Sequence, residues 1–410
     1  MLTVLLPTFS PEESLDEILK KQSALPGTLP FNNNSINFVG KLSRRLLSDS
    51  NFRQYPELMA MAHWFRPASL KNMRQIFFSH SNAQNRLRRG VVFHIAPSNV
   101  DSVFIYSWLL SLLCGNSNIV RVSGRRTQQL EAFFSATAAL FKETEFKFLA
   151  SANLVLSYEH NEAITSKLSA NCHMRVIWGG DSTVNLIRAI KLPPLATELA
   201  FPSRFSIAVI DASVVAKLDD DELTLLGEKF YNDAFWFNQK ACSSPRVLIW
   251  LGDTNKVAAA QARFWPEINT QVVAKNPENL PDQVISRATT AFLLAGQCNK
   301  SAMLTPIGAI PSRLMVNNLS DEVRLSHDGN GLFIEMQRND LSAIASLLTS
   351  RDQTIAYFGI TREQWVDVLN LLPPHAADRI VPIGQALHFN PVWDGVNLLQ
   401  AFTREVQLIG

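Results

Sequence analysis

From about residue 90 onward the chain alternates short β-rich runs with amphipathic helical stretches, and this alternation limits the available folds more than any other feature. GVVFHIA reads as a buried strand, and APSNVDS turns into an apolar helix that ends near Cys114. NIVRVS is a second strand, and RRTQQLEAFFSATAALFKE carries apolar residues at three- and four-residue spacing, a helix. NLVLSY, a short helix around Glu162, MRVIWGG, the helix STVNLIRAI and the strand SRFSIAVID follow. Such strand–helix alternation predicts βαβ units, hence a parallel sheet covered by helices on both faces. A second series begins after Asp211: the helix DDDELTLLGEKFYNDAFWF, a turn around Cys242, the strand RVLIWLG, and further α/β elements to about residue 385.

At 410 residues the chain exceeds one ordinary core. The expected division is an N-terminal helical segment over 1–50, one α/β domain over 51–210, a second over 211–385, and a C-terminal tail over 386–410 that packs back near the active site. Apolar residues make up 47% and charged residues 18%, a packed globular composition and not a disordered one. The net charge of +2, with no long basic run, implies no nucleic-acid partner. The short run Arg121, Arg125, Arg126 is enough for one phosphate at most. The longest apolar stretch, 103–114, is far short of the ~20 residues of a membrane span. The N-terminus lacks the basic flank and cleavage site of a signal peptide. Cys114, Cys172, Cys242 and Cys298 match neither a zinc site nor a disulfide framework, so a reducing, cytoplasmic setting is expected and no metal.

Five places carry candidate chemistry, and each admits a plain structural reading. In FNQKACSSPRVLIW, Cys242 lies among small polar residues before a strand. That gives an incoming carbonyl room, yet a cysteine there is also commonly a small core residue. The other three cysteines fit the core reading better. In HIAPSNVDS, Asn99 either caps the next helix or donates its amide to a developing oxyanion. In VIWGGDSTVNLIRAI, Gly179 and Gly180 lead into Ser182 and Thr183 at a helix start. This is a phosphate-binding arrangement or simply a tight turn, and it is not the G-x-G-x-x-G pattern. In NIVRVSGRR, Arg121 and Ser123 at a strand end suit a ribose or its 2′-phosphate, although an arginine in such a place is more often a surface residue. Glu198, before the strand SRFSIAVID, is either a general base or a salt-bridged structural residue.

Taken in chain order, Pro97–Ser98–Asn99, Arg121–Val122–Ser123, Gly179 to Thr183, Glu198 and Cys242 resemble the aldehyde dehydrogenase superfamily. The blocks GNSNIVRVS, FYNDAFWFNQKACSSP and DRIVPIGQALHFNPVWDGVNLL resemble, more closely, the LuxC-type long-chain acyl-CoA reductases, the fatty-acid reductases of bacterial bioluminescence. The likeness runs over roughly residues 50–405. It implies two Rossmann-like α/β domains with the active site in the cleft between them. It also implies NADPH as cofactor, and reduction of an acyl-CoA or acyl-enzyme to the aldehyde through a Cys242 thioester. Asn99 would be the oxyanion donor and Glu198 the base. Arg121, Ser123, Gly179, Gly180, Ser182 and Thr183 would meet the cofactor, with Glu335 in GLFIEM on the nicotinamide ribose. An acyl-protein synthetase partner and a homo-oligomer are implied too. The sequence departs from the superfamily at Arg121, where lysine is usual, and after Glu198, where Leu-Ala-Phe replaces Leu-Gly-Gly.

Two other readings fit these residues. One is an acyl-phosphate reductase of the same fold with a small polar substrate. The other is a non-catalytic, acyl-holding subunit of a complex. The aromatic run Phe230, Tyr231, Phe235, Trp236, Phe237 favours an apolar acyl chain if it lines the site, and says nothing if it is core.

Overall fold

The computed structural model describes residues 2–7, 13–79, 83–97, 103–124, 126–275, 277, 279–297, 301–306 and 309–409. The chain forms two compact units: Met1–Pro202 with Phe389–Val392 and Val396–Gly410, and Ser203–His388 with Trp393–Gly395.

The first unit is built on a six-stranded sheet in the spatial order Thr3–Leu6, Asn153–Ser157, Ser117–Val122, Val91–Ile95, Met174–Trp178, Thr197–Phe201. All neighbours run parallel except Thr3–Leu6, which pairs antiparallel with Asn153–Ser157. Strands Val91–Ile95, Asn153–Ser157 and Met174–Trp178 are buried at every residue. That is what a parallel sheet covered on both faces requires, and why these segments read as unbroken apolar runs and not as alternating ones. The helix Val103–Leu113 is buried along ten of its eleven residues. Each fully buried Leu, Ile or Phe there contributes roughly 1.5–3 kcal/mol. The chain fills the sheet from Val91–Ile95 outward on one side, then returns to place Met174–Trp178 on the other. The strand order therefore reverses beside Val91–Ile95, and in sheets of this kind ligands bind at the carboxyl ends at such a reversal.

Helix boundaries follow the local chemistry. Ser14 and Glu17 form a capping box for Leu15–Ser23, Asn32 caps Asn33–Ser48, and Thr127 caps Gln128–Phe141. The tail contributes a strand, Thr403–Glu405, antiparallel to Arg86–Arg88.

The second unit holds a seven-stranded sheet in the order Ala302–Met303, Ser312–Met315, Leu332–Arg338, Val247–Leu251, Phe205–Asp211, Asp352–Phe358, Arg379–Pro382. It too is parallel except at the edge strand Ala302–Met303. Helix Asp220–Phe235 starts at a capping box made by Asp219 and Glu222.

The strand Phe205–Asp211, which the alternation assigns to the end of the first series, lies in the middle of this second sheet, between Val247–Leu251 and Asp352–Phe358. Hydrophobic pattern identifies a buried strand but carries no label for the sheet it joins. The last strand of the first sheet is instead Thr197–Phe201, a half-buried segment that periodicity does not mark. Among the described residues no helix is long and apolar enough to cross a membrane.

Candidate functional site

In the first unit, the reversal point opens a pocket of about 320 Å³ lined by Ile95, Arg121, Tyr158, His160, Ser182 and Thr183, among others. Three of the residues expected to meet a cofactor are thus brought together by geometry. Arg121 ends a strand, donates from Nη2 to the Tyr158 carbonyl at 3.1 Å, and lies over the Tyr158 ring at 5.3 Å. Burial lowers its pKa from the usual guanidinium value, without threatening its charge. Ser123, two residues on, accepts from Ser157 Oγ at its carbonyl, 3.2 Å away. Gly180 is the N-cap of helix Asp181–Arg188 and uses no side chain to close it. A helix start of this kind is where an anion is favoured by the helix dipole. At Gly179 a Cβ would come within 3.1 Å of the Thr183 methyl, so a side chain there would need Thr183 to give way by a few tenths of an ångström. Ser98 and Asn99 lie outside the described residues, as do Arg125 and Cys298.

Glu198 occupies the strand Thr197–Phe201, not a loop before it. Its carboxylate accepts from Arg175 Nε at 2.6 Å and from Arg188 Nε at 3.1 Å, and Arg175 Nη2 also reaches it. Arg175 is itself almost fully buried. Both oxygens are engaged, so of the two readings open for Glu198 this arrangement is the salt-bridged one.

In the second unit, Cys242 sits in the turn between helix Asp220–Phe235 and strand Val247–Leu251. The approach is fixed by Asn238 and Gln239, both in the left-handed region with φ of 48° and 59°. Gln239 is fully buried and donates its amide to the carbonyls of Pro245 and Leu332, at 3.1 and 3.0 Å. Arg246 ties the other side, donating from Nε to the Gln239 carbonyl at 2.9 Å and from Nη1 to the His327 carbonyl at 3.0 Å. Ser206 Oγ donates to the Cys242 carbonyl at 2.6 Å and accepts from the Thr354 N–H at 3.2 Å. The turn is therefore pinned to the amino-terminal ends of three neighbouring strands.

As a residue Cys242 is half-buried, whereas Cys114 and Cys172 are buried. Burial pushes the Cys114 thiol far up and that of Cys172 to about 12. Burial pushes Cys242 up to about 11, with the Asp394 carboxylate adding to the effect. The Gln353 amide, Arg246 and Arg204 pull the other way. These influences on balance favour the thiol over the thiolate.

Glu335 is fully buried on strand Leu332–Arg338. Its Oε2 accepts from Trp250 Nε1, Gln261 Nε2 and Trp265 Nε1 at 2.7, 2.8 and 3.0 Å, and its Oε1 from Arg313 Nε at 2.6 Å. A ribose does not reach a carboxylate enclosed in this way. The residue instead satisfies buried donors inside the unit, where sequence had put it on a cofactor. The aromatic run is mostly core: Phe230 and Phe235 pack on Phe333, Tyr231 stacks on Phe235, and only Trp236 is exposed, at 51%. Among the described residues no group of three or more His, Cys, Asp or Glu is placed to hold a metal.

The sequence reading missed the companions of Cys242. Gln353 donates to the sulfur at 3.5 Å and also to Asp394. Arg204 donates to Asp378 at 2.7 Å and lies 3.6 Å from Asp394. The block containing Trp393–Asp394–Gly395 stands out in the sequence, but nothing there ties it to Gln353, and RDQTIAYFG reads as plain strand.

The profile of the acyl-CoA reductase (LuxC) family matches residues 66–405. A search of curated proteins returned no match. Among solved structures, an NAD-dependent aldehyde dehydrogenase from Sinorhizobium meliloti superposes with a TM-score of 0.63 at 12% identity, covering 93% of this chain and 82% of its own. Aldehyde dehydrogenase 21 from Physcomitrella patens, solved with succinate, gives 0.64 at 10% identity, covering 91% and 82%. Indole-3-acetaldehyde dehydrogenase from P. syringae, in complex with NAD+, gives 0.59 at 12% identity, covering 89% and 76%. At such identities the likeness is one of fold: two α/β units of the aldehyde dehydrogenase type. With the family profile spanning most of its length, the chain belongs to the acyl-CoA reductase (LuxC) family.

Proposed function

We propose that the chain reduces an activated fatty acyl group to the aldehyde, carrying the acyl group on Cys242 as a thioester and drawing hydride from NADPH. Family membership supports the coarser part, an oxidoreductase of acyl and aldehyde chemistry. The observation that carries the finer part is the contrast among the described cysteines. Cys242 alone is not a fully buried residue, and its sulfur accepts from the Gln353 amide and lies near Arg246, Arg204 and Asp394, on a turn pinned from both sides.

In the first half-reaction the Cys242 sulfur attacks the acyl carbonyl of an acyl-CoA, or of an acyl group held by a synthetase partner. The donor's thiol leaves with the proton that Cys242 gives up. The tetrahedral oxyanion would be held by the Cys242 backbone N–H and the Asn99 amide. Loss of one such donor typically costs about 10²–10³ in rate. A bound reduced nicotinamide cofactor would supply the hydride taken up by the thioester carbon. The resulting thiohemiacetal breaks its carbon–sulfur bond, the aldehyde leaves, and the sulfur regains a proton.

The first unit's pocket suits the nucleotide end of that cofactor: about 320 Å³ at a strand-order reversal, with the half-buried Arg121 cation and a helix start beside it. Arg121 would meet the 2′-phosphate, Ser123 the ribose, and Gly179, Gly180, Ser182 and Thr183 the pyrophosphate. Glu198, held by two arginines, is not poised to activate water, which favours reduction over hydrolysis of the thioester. Because the aromatic run near Cys242 is core, the preference for a long apolar chain rests on the family alone.

The test is aldehyde release from a panel of acyl-CoAs with NADPH, comparing the wild-type chain with Cys242→Ala. The expected result is aldehyde from the wild type and none from the variant. Aldehyde formation that survives the substitution overturns the proposal.

A further inference from the structure

A glutamine amide has one acceptor oxygen and two N–H donors to satisfy. Gln353 is 4% exposed, so it must satisfy them inside the protein. Its Oε1 accepts from Thr354 Oγ1 at 3.3 Å. Its Nε2 donates to Asp394 Oδ1 and to Cys242 Sγ, the latter at 3.5 Å. An ionised carboxylate only accepts, so the Asp394 side fixes which end of the amide is nitrogen. With one N–H spent on Asp394, the other points at the sulfur.

Asp394 is itself held in place. Arg204 Nη1 lies 3.6 Å from its Oδ2, while Arg204 Nη2 donates to Asp378 Oδ2 at 2.7 Å and to the Asp352 carbonyl at 3.2 Å. The backbone around Asp394 is equally constrained. Asp394 and Gly395 both adopt left-handed φ, 46° and 72°, and a Cβ on Gly395 would lie 2.8 Å from Asp378 Oδ1. A residue other than glycine does not fit there without pushing on the same carboxylate that holds Arg204.

We propose that Gln353 is a positioning residue for the Cys242 sulfur, its amide locked by Asp394 and Arg204 so that an N–H always faces the position where the thiolate forms. The inference rests on the reading of Cys242 as acyl carrier. The charged groups facing the sulfur are Asp394, which opposes ionisation, and Arg246 and Arg204, which favour it. Gln353 adds the direct hydrogen bond, and such a bond stabilises the charged form. The same donor meets the sulfur again when the thiohemiacetal collapses and the thiolate departs.

The experiment measures the rate of iodoacetamide alkylation at Cys242, by peptide mass, as a function of pH in the full-length protein. Wild type is compared with Gln353→Met, which removes the donor at similar volume, and Gln353→Glu, which keeps the shape and replaces the donor with an acceptor. Melting curves identify any variant that fails to fold; if Gln353→Met does, Gln353→Glu decides. The expected result is a profile displaced to higher pH in each folded variant, with alkylation at pH 8 about tenfold slower, the equivalent of roughly one pKa unit. An unchanged profile overturns the inference. The two levels are separable, because alkylation reports the sulfur's surroundings whether or not an acyl group is ever carried. Acyl transfer with an unmoved profile removes only the role of Gln353; a moved profile without acyl transfer removes only the proposed function.

Discussion

Arg121 shows how much one side chain decides. It ends a buried strand, is braced by the Tyr158 carbonyl and ring, and still faces the pocket at the sheet's reversal point. A charged hydrogen bond to a phosphate is worth roughly 1.5–3 kcal/mol, or about 10- to 100-fold in affinity. Arg121→Ala should therefore weaken NADPH binding by about that factor and leave NADH binding close to unchanged, as read by cofactor fluorescence. Equal losses for both cofactors would separate Arg121 from the 2′-phosphate. At this scale the sequence was uneven. Arg121, Ser182 and Thr183 were legible because strand ends and helix starts are marked by local chemistry, and the structure brings them to one pocket. Glu335 was not, because a glutamate in an apolar strand looks the same whether it faces a ligand or a ring of buried donors. The roles of Gln353 and Asp394 were not legible for another reason: Gln353 takes its meaning from contact with Cys242, 111 residues earlier, and Asp394 from holding Gln353.

At the scale of elements, the strand Asp352–Phe358 is fastened at its first residue. Arg324 grips Asp352 with two bonds, from Nε at 3.0 Å and from Nη2 at 2.7 Å, and both side chains are buried. The Thr349 N–H adds a third bond to the same carboxylate at 2.7 Å. Removing one partner of a buried pair leaves the other charge stranded, at a cost of about 3–5 kcal/mol. Asp352→Ala should lower stability by that amount in denaturant unfolding, and it should loosen Gln353, the next residue along. A loss below about 1 kcal/mol would contradict this account of the anchor. Elements were the most legible level. Unbroken apolar runs such as VVFHI and VLIWL become fully buried parallel strands, and capping residues fix the helix starts. What the pattern left out was the sheet to which Phe205–Asp211 belongs and the half-buried strand Thr197–Phe201. Pairing partners are chosen by tertiary packing, and local period holds no record of them.

At the scale of the whole molecule, each unit is a separate wound sheet, and the two candidate centres use them differently. The pocket with Arg121 lies at the carboxyl ends of the first sheet, where such folds ordinarily bind ligands. The Cys242 turn lies at the amino ends of the second, held by Ser206, Arg246 and Gln353. At the carboxyl end of Asp352–Phe358 in that second sheet the packing around Gly359 is tight. A Cβ on Gly359 would meet the Asp211 Cβ at 2.9 Å and Val214 at 3.0 Å, and Gly359 itself has φ of 77°. The fold persists at 10–12% identity with the solved aldehyde dehydrogenases, so what this chain does has to be argued from its sites. Cys242 is the one on which the proposed chemistry turns.

The most direct test is the intact mass of the protein after incubation with a long-chain acyl-CoA, with and without NADPH. The expected result is one added acyl group, located on Cys242, that persists without NADPH and disappears with it as aldehyde accumulates. An unmodified mass in the absence of NADPH, or an acyl group on another residue, would contradict it.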